Sequence, residues 1–188
     1  MLKRIAFLAF PGMTLLDLVG AYDSLRRVAP MGIDRGVRHR IIGTKATIED
    51  ETGFTIVPDA VYESLRDYDL LYVPGGLGTR RLVHDEQLID YLKSFKEGRP
   101  IVSVCTGSLL LGAAGHLKGR RATTHHLAFD ELEPYCKEVV RDERIVEDGH
   151  VTTGGGVTTA LDLGLHLVDR YWGAEARERI AATMEYRG

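Results

Sequence analysis

The sequence is poor in cysteine and has no apolar segment long enough to cross a membrane. Only Cys105 and Cys136 are present among 188 residues, which is too few for a disulfide scaffold, and they lack the paired spacing of a zinc site. The longest uncharged run, residues 101–117, is shorter than the ~20 residues of a transmembrane helix, and glycine and polar side chains interrupt it. We therefore expect a cytoplasmic protein that binds no metal and does not enter a membrane.

Neither sign of charge dominates the sequence. The chain has 24 Lys and Arg residues and 27 Asp and Glu residues, which give a net charge of −3, and the basic residues are scattered. Because a nucleic-acid surface is typically basic, we expect no nucleic-acid partner. The length suits one domain, which we expect to cover residues 1–188, and the 44% of hydrophobic residues is typical of a globular protein.

The N-terminal segment imitates a secretory signal, because a basic start precedes an apolar stretch. Pro11, Gly12 and Asp17 interrupt that stretch. A buried opening strand over residues 5–10 explains the same pattern better.

Apolar runs that end in sharp turns alternate with helical patterns along the chain. Apolar runs at 5–10 and 70–73 are typical of buried parallel strands, and residues 101–104 repeat the strand pattern. Weaker strand patterns occur at 39–44, 54–57, 139–140 and 145–146. Helices are predicted from Thr14 to before Pro30, at 87–97, 108–114, 127–135 and 157–171, and in a last segment ending at Met184. This alternation predicts an α/β fold with helices on both faces of the sheet.

Conspicuous turn segments follow several of the predicted strands. They occupy residues 11–17, 74–78 and 105–107, and the glycine-rich stretch at 152–156 is a candidate for a fourth. Ligands of open α/β sheets bind at the carboxyl ends of the strands. We therefore expect the functional site where these segments meet.

Cys105 lies where a strand pattern gives way to a helix pattern. The stretch Ser103-Val104-Cys105-Thr106-Gly107 has the form of a nucleophile elbow, a sharp turn that exposes the central side chain above the sheet. We expect the unpaired N–H groups of the following helix to favour the thiolate. The local pattern is equally compatible with a buried, unreactive cysteine.

Two further features could serve such a nucleophile, and each has a structural alternative. Backbone N–H groups of Gly75 and Gly76 could stabilise a developing negative charge, or the pair could be an ordinary turn at a strand end. Asp17 could be the acid partner of the cysteine, or it could cap its own helix together with Thr14.

The histidines bear on whether the site is a hydrolase. A cysteine hydrolase needs an imidazole near the sulfur, and His125 and His126 are the candidates because both are in a predicted loop. A loop histidine is more often structural than catalytic, and the residue next to the cysteine is Thr106. Cys136 has a polar helical context, and we expect it to be a packed or surface thiol.

Four sequence stretches together resemble the ThiJ/PfpI superfamily. They are "VPGG" at 73–76, "SVCTGSLLLGAAG" at 103–115, "KGRRATTH" at 118–125 and "TTGGGVTTALDLGLHLV" at 152–168. Within that superfamily, "PGMTLLDLVGAYD" with Asp17 and the Cys-Thr pair is similar to the isocyanide hydratase branch. The resemblance implies a flavodoxin-like three-layer sandwich with a mainly parallel sheet, usually assembled as a homodimer.

The resemblance also implies roles for particular residues. Cys105 would be the nucleophile of a cofactor-free hydratase that acts on a small molecule, adding to an isocyanide carbon to give a thioimidate that water converts to an N-substituted formamide. Asp17 would shuttle the protons, for which a raised pKa is suitable. Thr106 would shape the hydrogen bonding of the sulfur. The backbone N–H groups of Gly76 and Thr106 would line an anion pocket, and Val157 would flank the sulfur. Gly75, Gly76, Val157 and His125 would form the substrate side of the pocket.

The sequence also departs from its relatives. PfpI-type peptidases have a histidine directly after the cysteine, so Thr106 argues against peptidase activity. In the hydratase pattern an aromatic residue follows "TTH", whereas this chain has His126, which leaves the substrate range open.

Three other functions stay open from the sequence. A glyoxalase or deglycase would use the same cysteine, although a more basic pocket and a glutamate in place of Asp17 would favour it. An oxidation sensor would need the same low thiol pKa. A ligand-sensing domain of a transcriptional regulator would need a separate DNA-binding partner, since we find no helix-turn-helix segment before Gly188.

Overall fold

The central feature of the fold is a seven-stranded sheet built around the apolar runs. The structure is a computed structural model and describes residues 2–187. In spatial order the strands are β10 (Ile145–Asp148), β11 (Val151–Gly154), β7 (Ile101–Val104), β6 (Leu70–Val73), β1 (Arg4–Ala9), β2 (Arg38–Gly43) and β5 (Ala60–Val61). All neighbouring pairs are parallel except β10 and β11. The prediction of a mainly parallel sheet is confirmed.

Helices cover both faces of this sheet, as predicted. The helices are α1 (Leu15–Arg26), α2 (Thr79–Leu82), α3 (Glu86–Lys93), α4 (Gly107–Ala113), α5 (Phe129–Leu132), α6 (Thr159–Trp172) and α7 (Ala174–Thr183). One layer is formed by α1, α6 and α7, and the other by α2, α3, α4 and α5. Three single turns of 3₁₀ helix occupy Leu65–Asp67, His126–Ala128 and Glu133–Tyr135. Within residues 2–187 no helix combines the length and apolar character required to span a bilayer.

The core lies between the sheet and each helical layer. The central strands β1, β6 and β7 are almost entirely buried, as expected for parallel strands covered on both faces. On one face α1 crosses α6 at close range, because Gly20 lies against Ala160 and Gly164 lies against Ala21. This packing fixes the N-terminal turn of α1, which carries Asp17, relative to the sheet.

Two small two-stranded sheets lie outside the central one. The strands β3 (Ile48–Glu49) and β4 (Thr55–Ile56) form an antiparallel hairpin, and β8 (Arg121–Ala122) pairs in parallel with β9 (Glu138–Val139). The β3–β4 hairpin is tied to the turn after β1, since the Gly12 N–H donates to the Glu49 carbonyl and the Glu51 N–H donates to the Met13 carbonyl. The hairpin therefore lies beside the carboxyl end of the sheet.

The turns that follow four adjacent strands meet at one edge. The order β11, β7, β6, β1 brings together residues 155–157, Cys105, residues 74–76 and the turn before α1. Neighbouring parallel strands with crossover helices place their following loops side by side. The structure thus assembles the predicted site segments, including the fourth at the glycine-rich stretch.

Candidate active site

Cys105 lies on a strained turn between β7 and α4. Its φ is +54°, a left-handed conformation that is costly for a residue other than glycine. Hydrogen bonds hold the turn: the Cys105 N–H donates to the carbonyls of Gly154 and Gly155 at 3.0 and 2.8 Å. The Cys105 carbonyl accepts from the hydroxyls of Ser108 at 3.2 Å and Thr124 at 3.0 Å. This is the geometry expected of a nucleophile elbow.

Glycine is required beside the elbow because three backbone segments crowd together there. A Cβ atom at Gly75 would lie 2.5 Å from the Thr106 nitrogen and 2.8 Å from the Cys105 Cβ, and one at Gly107 would lie 2.5 Å from the Val73 carbonyl oxygen. The turn after β6 can therefore approach the elbow closely only without side chains at these positions.

Asp17 is buried beneath this turn and interacts with Cys105. The side chain is fully buried, and its Oδ2 atom accepts a hydrogen bond from the Gly75 N–H at 3.0 Å. The carboxyl group also interacts with the Cys105 thiol. The other oxygen, Oδ1, has no hydrogen-bond partner of ordinary geometry within residues 2–187. Asp17 is therefore held by the turn after β6 and directed toward the sulfur.

The alternative that Asp17 and Thr14 form a helix cap is wrong. Thr14 occupies the N-cap position of α1 but makes no side-chain capping bond, and its hydroxyl donates instead to the Glu51 Oε1 atom at 2.9 Å. The Asp17 carboxyl is engaged by Gly75 rather than by N–H groups of α1.

The pKa values of Asp17 and Cys105 are both raised, mainly by burial. Burial raises the pKa of Asp17 to about 7, an effect that the hydrogen bonds from Gly75 and Cys105 only partly offset and that the charge of Glu51 reinforces. Burial and then the charge of Asp17 raise the pKa of Cys105 to about 12. Between these values the pair holds a single proton, and the carboxylate of Asp17 faces a protonated thiol.

The N–H groups at the start of α4 favour the thiolate of Cys105 as expected, but the thiol pKa is nevertheless raised. The Thr106 backbone N–H does lower the thiol pKa, but burial and the neighbouring carboxylate outweigh it. A single short helix contributes a fraction of a charge at its N-terminus. Removing an ionised group from water has a larger effect.

The glycine turn has no free N–H group for the anion pocket that was expected from Gly76 and Thr106. The Gly75 N–H is bonded to Asp17, and the Gly76 N–H donates to the Thr106 hydroxyl at 2.9 Å. That hydroxyl in turn donates to the Gly76 carbonyl at 3.0 Å. Thr106 therefore locks the turn after β6 against the elbow, and both glycine N–H groups are engaged by protein atoms.

A cavity of about 200 Å³ opens above the sulfur. Cys105 is only 5% exposed, yet it lines this cavity together with Gly76, Thr106, Val157 and His125. Gly75 and Asp17 lie outside the lining and support it from below. His126 does not line this cavity. It borders a neighbouring one of about 400 Å³.

His125 stands at the side of the cavity as a neutral imidazole. Burial, followed by the charges of His126 and Arg80, lowers the pKa of His125. Its Nδ1 atom accepts from the Leu127 N–H at 3.2 Å, which leaves Nε2 as the protonated nitrogen. The ring also packs on the His126 ring, with centroids 4.4 Å apart.

Three residues that line the cavity were not predicted from the sequence, namely Glu51, Arg80 and Leu127. Their local sequence carries no motif, and Glu51 reaches the site only through the β3–β4 hairpin. Thr14 and Leu77 also line the cavity and lie within the predicted turn segments. Leu77 and Leu127 are 69% and 75% exposed, so the mouth presents apolar side chains to solvent.

The site has no cluster with the geometry of a metal centre. Among residues 2–187, no group of three or more His, Cys, Asp or Glu side chains is arranged to bind a metal ion. Cys136 is half-buried, and its thiol donates to the Leu132 carbonyl at 3.7 Å, as expected for a packed thiol.

Comparison with known proteins places this site in a family. Residues 3–170 match the DJ-1/PfpI family model. The chain is 36% identical to the isonitrile hydratase of Pseudomonas putida over 99% of its own length and 79% of that protein. It is 30% identical to the HTH-type transcriptional regulator CdhR of Pseudomonas aeruginosa over 93% of its length, which spans about half (52%) of the regulator. The crystal structure of a ThiJ/PfpI family protein from Pseudomonas syringae superimposes with a TM-score of 0.88 at 33% identity, covering 100% of this chain and 76% of that one. The chain therefore belongs to the DJ-1/PfpI family.

Proposed function

We propose that the protein hydrates organic isocyanides to N-substituted formamides through a covalent intermediate on Cys105. The observation that carries the proposal is the pairing of Asp17, whose pKa is raised to about 7, with the Cys105 thiol beneath a cavity of about 200 Å³. The 36% identity with an isonitrile hydratase along nearly the whole chain supports it.

The first step requires one carbon atom to receive both a sulfur and a proton. In an isocyanide, R–N≡C, the terminal carbon forms a new bond to the sulfur and a new bond to hydrogen, giving the thioimidate R–N=CH–S–Cys105. The proton comes from the thiol, and Asp17 takes it from sulfur and delivers it to the carbon. A carboxyl group with a pKa near 7 is suited to both halves of that transfer, and the buried Oδ1 atom without a partner is available to hold the proton.

The second step returns the thiol and consumes one water molecule. Asp17 accepts a proton from water as the oxygen bonds to the thioimidate carbon, and the nitrogen becomes protonated. The carbon–sulfur bond then breaks, the sulfur regains a proton, and the product is R–NH–CHO. The overall change is the addition of one water molecule to one isocyanide, with no redox step and no cofactor in the balance.

The shape and polarity of the cavity suit a small uncharged substrate. Val157, Leu77 and Leu127 provide apolar contacts, while the charges of Glu51 and Arg80 lie among the other lining residues. Glu51 is engaged by Thr14, and Arg80 pairs with Glu131. Both charges therefore have protein partners, which favours an uncharged ligand.

We also propose the domain organisation, assembly, location and partners that were expected from the sequence. The chain would act as a single domain and as a homodimer in the cytoplasm, without a nucleic-acid partner. The net charge of −3 supports the absence of a nucleic-acid partner, and the exposed apolar side chains of Leu16 and Val19 on α1 support an interface between two copies. Light scattering of the purified protein tests the oligomeric state.

Turnover of a simple alkyl isocyanide tests the proposed function. The purified chain is mixed with ethyl isocyanide, and loss of the isocyanide infrared band is compared with formamide appearance by NMR, with methylglyoxal assayed in parallel. Stoichiometric conversion to formamide is expected. Turnover of methylglyoxal alone would indicate the glyoxalase or deglycase function, and no turnover of either compound would contradict an enzymatic role with these substrates.

A further inference from the structure

Two cavities lie side by side at the carboxyl edge of the sheet. The cavity above Cys105 has a volume of about 200 Å³ and the neighbouring one about 400 Å³. His125 and Val157 line both. The side chain of His125 is therefore a shared wall between them.

The position of the His125 ring depends on a glycine. A Cβ atom at Gly156 would overlap with the His125 ring, so the imidazole rests directly on the backbone of the turn that precedes α6. The ring is also held by the Leu127 N–H and by the His126 ring. These contacts fix His125 across the boundary between the two cavities.

The size of the first cavity makes this wall important. Pockets for small molecules typically have volumes of roughly 300–1,000 Å³, and the cavity above Cys105 is below that range. Removal of the His125 ring is therefore expected to widen the first cavity toward the second, and their combined volume lies within that range. Leu77 and Leu127 flank a separate opening to solvent, through which a narrow linear chain can extend without passing the wall.

We propose that His125 is a specificity-determining residue that limits the width of the substituent next to the reacting carbon. The native protein accepts compact or linear substituents and excludes broad ones, whose only room lies beyond the wall in the second cavity. This inference rests on the proposed function for its choice of substrates. The positions of the two cavities and of the His125 ring are independent of that function.

The test compares His125→Ala with the unmodified protein on three isocyanides. The ratio of kcat/KM for 2-naphthyl isocyanide to that for ethyl isocyanide is expected to rise roughly tenfold or more in His125→Ala, whereas the ratio for n-hexyl to ethyl isocyanide stays within about threefold. His84→Ala is the matched control, since His84 is an exposed histidine that lines neither cavity, and its ratios are expected to stay within about threefold. An unchanged naphthyl ratio, or an equal rise with n-hexyl isocyanide, would overturn the proposal.

A second measurement separates this proposal from the proposed function. In a Cys136→Ser background, Cys105 is alkylated with iodoacetamide and with an iodoacetamide that carries a naphthyl group, and adduct formation is followed by intact-protein mass spectrometry. The ratio of the alkylation rate with the naphthyl reagent to that with iodoacetamide is expected to rise roughly tenfold in His125→Ala, even if isocyanides are not substrates. Equal relative rates in the two proteins would overturn the role of His125 whatever the reaction is.

Discussion

The Asp17 carboxyl group and the Cys105 thiol interact although they are carried by different elements of the fold. Asp17 is carried by the first turn of α1, and Cys105 is the residue after β7. The strand β6 lies between β1 and β7, and the turn that follows it supplies the Gly75 N–H that holds the carboxylate in place. Because both groups are buried, they exchange one proton with each other more readily than either ionises into solvent.

The pH dependence of the reaction should follow the titration of Asp17. Below about pH 7 both groups of the pair are protonated and no base is available, so kcat/KM for a small isocyanide is expected to fall tenfold per pH unit there and to level off above it. Asp17→Asn should lower kcat/KM on the order of 10²-fold or more and remove the inflection. Rates between pH 5 and 9 check this, and a flat profile for the unmodified protein would exclude Asp17 as the base.

Asp17 should also reduce the stability of the protein as the pH rises. The pKa of Asp17 in the folded state, about 7, lies above its unfolded value of 3.8, so the associated stability is present below pH 3.8 and is lost as the pH rises through 7. The free energy of unfolding is expected to decrease by up to about 4 kcal/mol over this pH range. Asp17→Asn keeps an oxygen acceptor for the Gly75 N–H and does not titrate.

Urea unfolding at pH 4.5 and pH 8 measures this effect. The free energy of unfolding of Asp17→Asn relative to the unmodified protein is expected to increase between the two pH values. Asp67→Asn is the matched control, because Asp67 is an exposed carboxyl and should show little change. A difference that is the same at both pH values would show that the buried carboxyl does not titrate in this range.

The Thr106 hydroxyl should stabilise the turn after β6, in addition to any effect on the sulfur. Thr106→Val keeps the shape of the side chain but removes the hydroxyl that accepts from the Gly76 N–H and donates to the Gly76 carbonyl. Leaving these buried groups without partners is expected to cost about 1–3 kcal/mol and to lower kcat. Thr106→Ser retains the hydroxyl and should keep most of the stability in urea unfolding. Equal stability of the valine and unmodified proteins would contradict this role.

The sequence predicted the central sheet because its strands have unmistakable patterns. The runs at 70–73 and 101–104 match β6 and β7 in both bounds, since each is rich in β-branched or other apolar residues and ends in a turn. The strand β11 was less evident, because Val151–Gly154 is rich in threonine and glycine and only its following turn was recognised. The weak pattern at 54–57 did correspond to half of a hairpin.

The residues of the candidate site could be predicted, but their protonation and hydrogen bonding could not. Motifs identified Cys105, Asp17 and the glycine turn. The partner of each glycine N–H lies far away in sequence, at Asp17 and Thr106, and no local pattern shows that these acceptors arrive there. The raised pKa of Cys105 likewise depends on burial by several elements, whereas the local sequence showed only the adjacent helix.

The most direct test of the covalent mechanism compares the two cysteines of the chain. Formamide production from ethyl isocyanide is measured for Cys105→Ala and for the matched control Cys136→Ala, with circular dichroism to verify folding. The mechanism predicts no detectable formamide from folded Cys105→Ala and turnover by Cys136→Ala equal to that of the unmodified protein. Turnover retained by Cys105→Ala would contradict it.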